Sequence, residues 1–168
     1  QVRGGILNLI SAYAPHGGYD YEDRREFFDQ LTQAWPAPNK HTATIACGDF
    51  NARLYDREPG DEDIIGEFFF QSRWPRQRAY LNRDLLLDTC RATSTAIANT
   101  YFEQPLENCV TYYGMEVSRT SPIGEGFAQI DVCLADHSTI GKMSNIWADR
   151  TITLASRHFL LRMLLGIE

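Results

Sequence analysis

The chain has 168 residues, of which 43% are hydrophobic and 23% charged, proportions that suit one globular domain and argue against overall disorder or low complexity. A formal net charge of −6 argues against a surface that coats nucleic acid indiscriminately, while leaving room for a local basic face. No apolar run approaches the roughly 20 residues that span a bilayer, and the opening residues lack the charged, apolar and small-residue regions of a signal peptide.

In chain order, Ile6 to Tyr13 reads as a strand, broken by Ala14-Pro15-His16-Gly17-Gly18. Asp20 is placed to cap a helix from about Tyr21 to Trp35, whose Phe27, Phe28, Leu31 and Trp35 recur at helical spacing. Thr42 to Cys47 is a short buried strand leading into Gly48-Asp49-Phe50-Asn51. An acidic loop follows from Asp56 to Asp63, then a helix over about Arg76 to Arg91 with Leu81, Leu85 and Leu86 inward. Beyond it the pattern is mainly β: Ile97 to Asn99, Cys109 to Tyr112, Phe127 to Leu134, Asn145 to Leu154 and Phe159 to Leu164. Early β-α-β units followed by strand-rich sequence predict a layered α/β architecture in a single domain.

Four widely spaced cysteines, Cys47, Cys90, Cys109 and Cys133, form no C-x-x-C pair, so a zinc knuckle is not expected. An intracellular, reduced protein fits this usage. Arg73, Arg76, Arg78, Arg83 and Arg91 gather in one stretch, as either a solvated helix face or a phosphate-contacting one. His16, His41 and His137 read as surface or loop residues. No G-x-S-x-G elbow is present for a serine hydrolase, and no Lys-Ser/Thr follows Gly124-Glu125-Gly126 to make a phosphate cradle.

The chemistry centres on Gly48-Asp49-Phe50-Asn51. Glycine permits a sharp exit from a strand. Asp49 offers an anion able to accept a proton from water or to hold a cation, and Asn51 adds an amide for a phosphate oxygen. Taken alone, the same letters describe a turn. Asp131 stands in an apolar strand, where a carboxylate needs a partner. Tyr13, at the end of the first strand, is also consistent with a core-edge aromatic, and His158 by itself with a structural histidine.

Taken in order, Tyr13-Ala14-Pro15, Gly48-Asp49-Phe50-Asn51, Gln129-Ile130-Asp131 and Ser156-Arg157-His158 resemble the endonuclease/exonuclease/phosphatase superfamily over nearly the whole chain. Asn82-Arg83-Asp84-Leu85-Leu86-Leu87, Ile97 to Phe102 and Thr111-Tyr112 sharpen the resemblance to the apurinic-like endonuclease domains of non-LTR retrotransposons. The resemblance implies two packed mixed β-sheets flanked by helices, a four-layer α/β/β/α sandwich. It implies DNA as substrate, a reverse-transcriptase domain in the same full-length chain, and a nuclear location for an active element. It further implies metal-assisted attack on a phosphodiester: Asp49 activating water, Asn51 holding phosphate, Asp49 and Asn51 sharing a Mg2+ or Mn2+ ion, His158 stabilising phosphoryl charge with Asp131 behind it, and Tyr13 contacting a phosphate oxygen.

Three departures accompany it. The family's first strands carry an Asn and a metal-anchoring Glu that would lie before Gln1, so the chain is expected to begin inside a longer open reading frame and to lack its first strands. Arg157 stands where the family has an acid. At ~4 Å and an effective dielectric of 20 a unit charge acts by roughly 4 kcal/mol, so the exchange of sign is expected to weaken the metal. His16 follows Pro15 where an Asn is usual. The expectation is an impaired nuclease, with a non-catalytic remnant of the same fold, or a phosphomonoesterase, as alternatives.

Overall fold

The structure is a computed structural model that describes residues 5–72 and 76–166, and only the backbone of 76–81. Arg73 and the side chains of Arg76, Arg78 and Leu81 therefore lie outside the described residues.

The chain runs β1 (Ile6–Tyr13), α1 (Tyr21–Ala34), β2 (Thr42–Asp49), α2 (Arg76–Thr93), β3 (Ala96–Ile97), α3 (Leu106–Cys109), β4 (Tyr112–Tyr113), β5 (Phe127–Ala128), β6 (Asp131–Ala135), α4 (His137–Ile140), β7 (Met143–Asp149) and β8 (Leu160–Leu165). One four-stranded sheet has the order β1-β2-β6-β3. β1 and β2 are parallel, joined through α1, and β6 runs antiparallel to both β2 and β3. The pairs β4–β5 and β7–β8 form two further small sheets. The architecture is thus mixed α/β, with several packed sheets flanked by helices.

Strand periodicity divides the core. On one face of the large sheet, Ala12, Ala46, Val132 and Leu134 pack with Phe28 and Leu31 of α1 and Leu85, Leu86 and Cys90 of α2. On the other, Ile45, Cys133 and Ala135 meet Ile140, Met143 and Ile146. Burial on both faces explains why β2 and β6 read as continuous apolar runs. β1 is an edge strand, and Ile6 and Leu9 remain 56% and 67% exposed.

Several strands are shorter than the sequence pattern suggests. Phe127 to Leu134 is two strands, because the chain changes sheets at Gln129-Ile130; there Gln129 accepts the Phe70 N–H and the Ile130 carbonyl accepts that of Phe50. Strand β3 stops at Ile97, since the Thr100 hydroxyl donates to the Ile97 carbonyl (2.7 Å) and closes a 3-10 turn over Ala98–Tyr101. Cys109 belongs to the short helix α3, whose first turn is closed by the Asn108 N–H donating to the Pro105 carbonyl (2.8 Å). Strand β7 ends at Asp149, whose carboxylate accepts from the Thr151 N–H and hydroxyl.

The acidic loop and two of the arginines, Arg83 and Arg91, form one device. Asp61, 3% exposed, accepts from Arg83 (2.6 Å) and Arg91 (2.9 Å), and Arg83 also donates to the Asp56 carbonyl. Arg83 is itself 4% exposed, so it is neither solvated nor a phosphate contact: it clamps the loop to α2. Removing one partner of a buried ion pair typically costs about 3–5 kcal/mol, because the other charge stays buried. Asp61→Ala is therefore predicted to lower the unfolding free energy by about that much, read from urea denaturation followed by circular dichroism.

Candidate active site

The site is assembled at one end of the large sheet by strand register. Tyr13 is opposite Asp49 in the β1–β2 ladder, and Asp49 is opposite Asp131 in the β2–β6 ladder. Directly opposed residues share a face, so the three form one row across three strands. The row depends on close approach of β1 to β2. A Cβ on Gly48 would lie 1.8 Å from the Ala12 carbonyl oxygen, so only glycine fits there. The sequence suggested that Gly48 turns the chain out of the strand. In the structure it is still within β2, and its service is closeness rather than exit.

The turn after β2 is held from three sides. Asn51 takes a left-handed conformation (φ 48°), which Asn tolerates better than most residues, and its N–H donates to Asp49 Oδ1 (2.8 Å). The Asn51 side-chain amide donates to the Ala14 carbonyl (2.9 Å). Buried Asn82 on α2 donates to the Pro15 and Phe50 carbonyls, joining the turn to the loop after β1. Asn82 falls in a family-like segment of the sequence that assigns it no role. A polar residue on an otherwise apolar helix face was the signal.

His158 is brought to the row by a separate stitch. Thr111, 1% exposed, accepts the N–H groups of Ile130 and Asp131 at its hydroxyl (2.9 Å each), and its carbonyl accepts the Phe159 N–H (2.8 Å). The Arg157 carbonyl accepts the Tyr113 N–H (3.1 Å), and the Tyr112 ring lies 5.0 Å from the imidazole. On the far side of β6, Asn99 continues the ladder past the end of β3, donating to the Asp131 carbonyl and accepting the Cys133 N–H. Neither Thr111 nor Asn99 was singled out as a site residue from sequence, because each supports the site through backbone groups that sequence does not display.

In the result, His158 Nδ1 lies 2.9 Å from Asp131 Oδ2, and Nε2 lies 3.8 Å from Asp49 Oδ2. The Asp131 carboxylate fixes the tautomer with a proton on Nδ1 and turns Nε2 toward Asp49. Burial pushes the Asp49 carboxyl up to about 6; the Asn51 N–H opposes that shift, the nearby Asp131 charge adds to it, and His158 and His16 offset it. The hydrogen bond to Asp131 raises the pKa of His158 against the opposing effect of burial, with further support from the Asp131 and Asp49 charges. His16 is exposed as expected, yet close enough to act on Asp49. Tyr13 stands at the end of the row, 71% exposed. Asp49, Asn51, Asp131 and His158 are thus brought together, with Tyr13 at their margin.

Among the described residues no group of three or more His, Cys, Asp or Glu side chains is arranged to hold a metal. Asp49 and the Asn51 amide oxygen are hard donors. Magnesium commonly takes one or two carboxylates and fills its shell with water and substrate phosphate. The pair fits an ion held in that shared way and does not form a closed cage.

Solved structures share this fold. A 3'-5' exonuclease (NExo) from Neisseria meningitidis matches with a TM-score of 0.67 at 13% identity, over 94% of this chain and 60% of that one. The catalytic domain of Xenopus laevis APE2 matches at 0.66 and 14%, over 95% and 49%, and an AP endonuclease from Archaeoglobus fulgidus at 0.64 and 17%, over 95% and 61%. The chain therefore has the fold of these nucleases and spans about half to three-fifths of their length. No protein-family model and no curated protein matches the sequence. Among the described residues no helix is long and apolar enough to cross a membrane.

A carboxyl whose pKa is raised on folding opposes stability once it ionises, the reverse of the usual Asp case. The cost is absent below its unfolded value near 3.8 and complete above about 6. In metal-free buffer, Asp49→Asn is predicted to stabilise the fold at pH 7 by about 1–3 kcal/mol, with the gain disappearing by pH 4. Paired denaturation curves at the two pH values check this.

Proposed function

We propose that the chain carries a divalent-metal-dependent phosphodiesterase site acting on DNA, belonging to the endonuclease domain of a non-LTR retrotransposon. The observation that carries this reading is the Asp131–His158–Asp49 arrangement, in which a histidine oriented by one carboxylate faces a second, proton-accepting one. NExo, which shares the fold, has also been solved as a 3' phosphatase bound to a product DNA hairpin.

The residues divide the work by charge. Asp49, its pKa pushed up to about 6 by burial in the metal-free protein, accepts a proton from the attacking water. Protonated His158 donates from Nε2 to a phosphoryl oxygen, and Asp131 keeps the imidazole charged and in place. Asn51 fixes the position of Asp49 through its N–H, and its side chain is braced on Ala14. Tyr13 is exposed at the end of the row, and in this reading it would contact a flanking phosphate. A Mg2+ or Mn2+ ion held by Asp49, Asn51 and the substrate would neutralise charge on the phosphate. In this setting a reverse-transcriptase domain accompanies the site in the full-length protein, and the active element works in the nucleus.

Slow nicking of supercoiled plasmid is expected with Mg2+ or Mn2+, abolished by chelation and by Asp49→Ala. Its rate should follow a bell-shaped pH profile. The acid limb reports ionisation of Asp49 and falls below the metal-free value of about 6, because a bound cation favours the carboxylate; the alkaline limb lies above the ordinary 6.5 of histidine, where His158 loses its proton. Asp131→Asn should cut the rate and move the alkaline limb toward lower pH. Phosphate release from monoesters without nicking would point instead to a phosphomonoesterase.

Arg157, a cation where the resemblance implies an acid, supports a second reading, a non-catalytic binding module. It predicts salt-sensitive DNA binding with no nicking, and partial recovery of nicking in Arg157→Asp.

A further inference from the structure

We propose that Cys47 and Cys133 form a modification site, at which a hydroperoxide joins the two thiols as a disulfide that staples β2 to β6. The sulfurs lie 2.6 Å apart, although the residues are separated by 86 positions in the chain. They are directly opposed in the antiparallel β2–β6 ladder. Opposed residues in such a ladder have Cα atoms about 4.5–5.5 Å apart, within the roughly 4.4–6.8 Å that a disulfide spans. Bond formation therefore needs only a small side-chain adjustment, with the strands left in register.

The placement gives the bond a consequence. Cys47 and Asp49 lie on one face of β2, and Cys133 and Asp131 on the same face of β6. The sulfur pair is thus the next same-face rung of the ladder after the two carboxylates. Cys90 is buried against the helices and Cys109 beside Phe127 and Phe159, each apart from this pair. Cys47 is half-buried while Cys133 is 1% exposed, so the oxidant meets Cys47 first.

The chemistry balances in two steps. The Cys47 sulfur attacks a peroxide oxygen, the O–O bond breaks, and a sulfenic acid forms with release of water or an alcohol. The Cys133 sulfur then attacks the sulfenic sulfur, the S–O bond breaks, and the sulfenic oxygen leaves as water with the proton of Cys133. Two thiols give up two electrons and two protons, and the hydroperoxide is reduced. A dithiol reverses the change by thiol–disulfide exchange.

The experiment treats the folded 168-residue chain with hydrogen peroxide, then denatures it, counts thiols and maps peptides by mass. Two of the four thiols should disappear, a Cys47–Cys133 peptide pair lighter by two hydrogens should appear, and dithiothreitol should restore both. The unfolding midpoint of the oxidised chain should rise, since a long loop is closed. Cys47→Ser should keep its three remaining thiols. A Cys90→Ser/Cys109→Ser chain, which keeps the pair, should cross-link like the parent and covers the case in which Cys47→Ser fails to fold. Retention of all four thiols by the folded parent would overturn the proposal. So would cross-links between chains, or oxidation of Cys47 to the sulfinic acid without capture by Cys133. Each readout counts thiols or stability, so the result is independent of DNA cleavage.

Discussion

Two carboxylates face each other across β2 and β6, and like charges placed directly opposite destabilise a sheet. The organisation of the site follows from how that repulsion is contained. Asp131 is engaged by His158, while Asp49 takes the Asn51 N–H on one oxygen and stays protonated more readily than an ordinary carboxylate. The imidazole is the third member of the group, and Thr111 and Tyr113 hold its backbone at the right height. The charge conflict is therefore built into strand register, and the turns and braces around it serve to keep the conflict in a usable form.

The supporting parts all act through the backbone. Asn82 ties two loops, Asn99 extends a ladder, and Thr111 collects N–H groups from the start of β6. Each is a buried polar residue whose hydrogen bonds go to main-chain atoms, which accounts for its place in an otherwise apolar interior. The Asp61 clamp performs the same task at a distance from the site, holding the acidic loop against α2 with two guanidinium groups.

Much of this was legible in the residues. Apolar period and flanking Pro and Gly placed β1, α1, β2 and α2 within a few positions, because those segments are long and their burial follows one rule. The β-rich second half was legible in type but not in extent. Its strands are cut short by local competitors, Thr100 and Asp149 among them, and by a change of sheet at Gln129 that no hydropathy pattern records. Asp49, Asn51, Asp131 and His158 could be named as a set because reactive side chains in apolar surroundings are conspicuous. Their distances could not, since register between β2 and β6 is a property of the folded sheet. Arg83 departs from both readings of the arginine group for a related reason: charge is visible in a sequence, whereas its burial against Asp61 is not.

The long separation between β2 and β6 also bears on how the molecule comes into being. Pairing strands 86 positions apart requires closing a large loop before any contact rewards it, and such non-local pairing folds slowly. The unit made of β1, α1 and β2 is contiguous in the chain and demands no such closure. His158 enters from still farther along, by way of its stitch to Thr111. A nascent or partly folded chain therefore owns Asp49 in its turn but neither Asp131 nor the imidazole beside it. The charged group exists only once these distant segments have closed on one another, so partly folded forms lack it by construction.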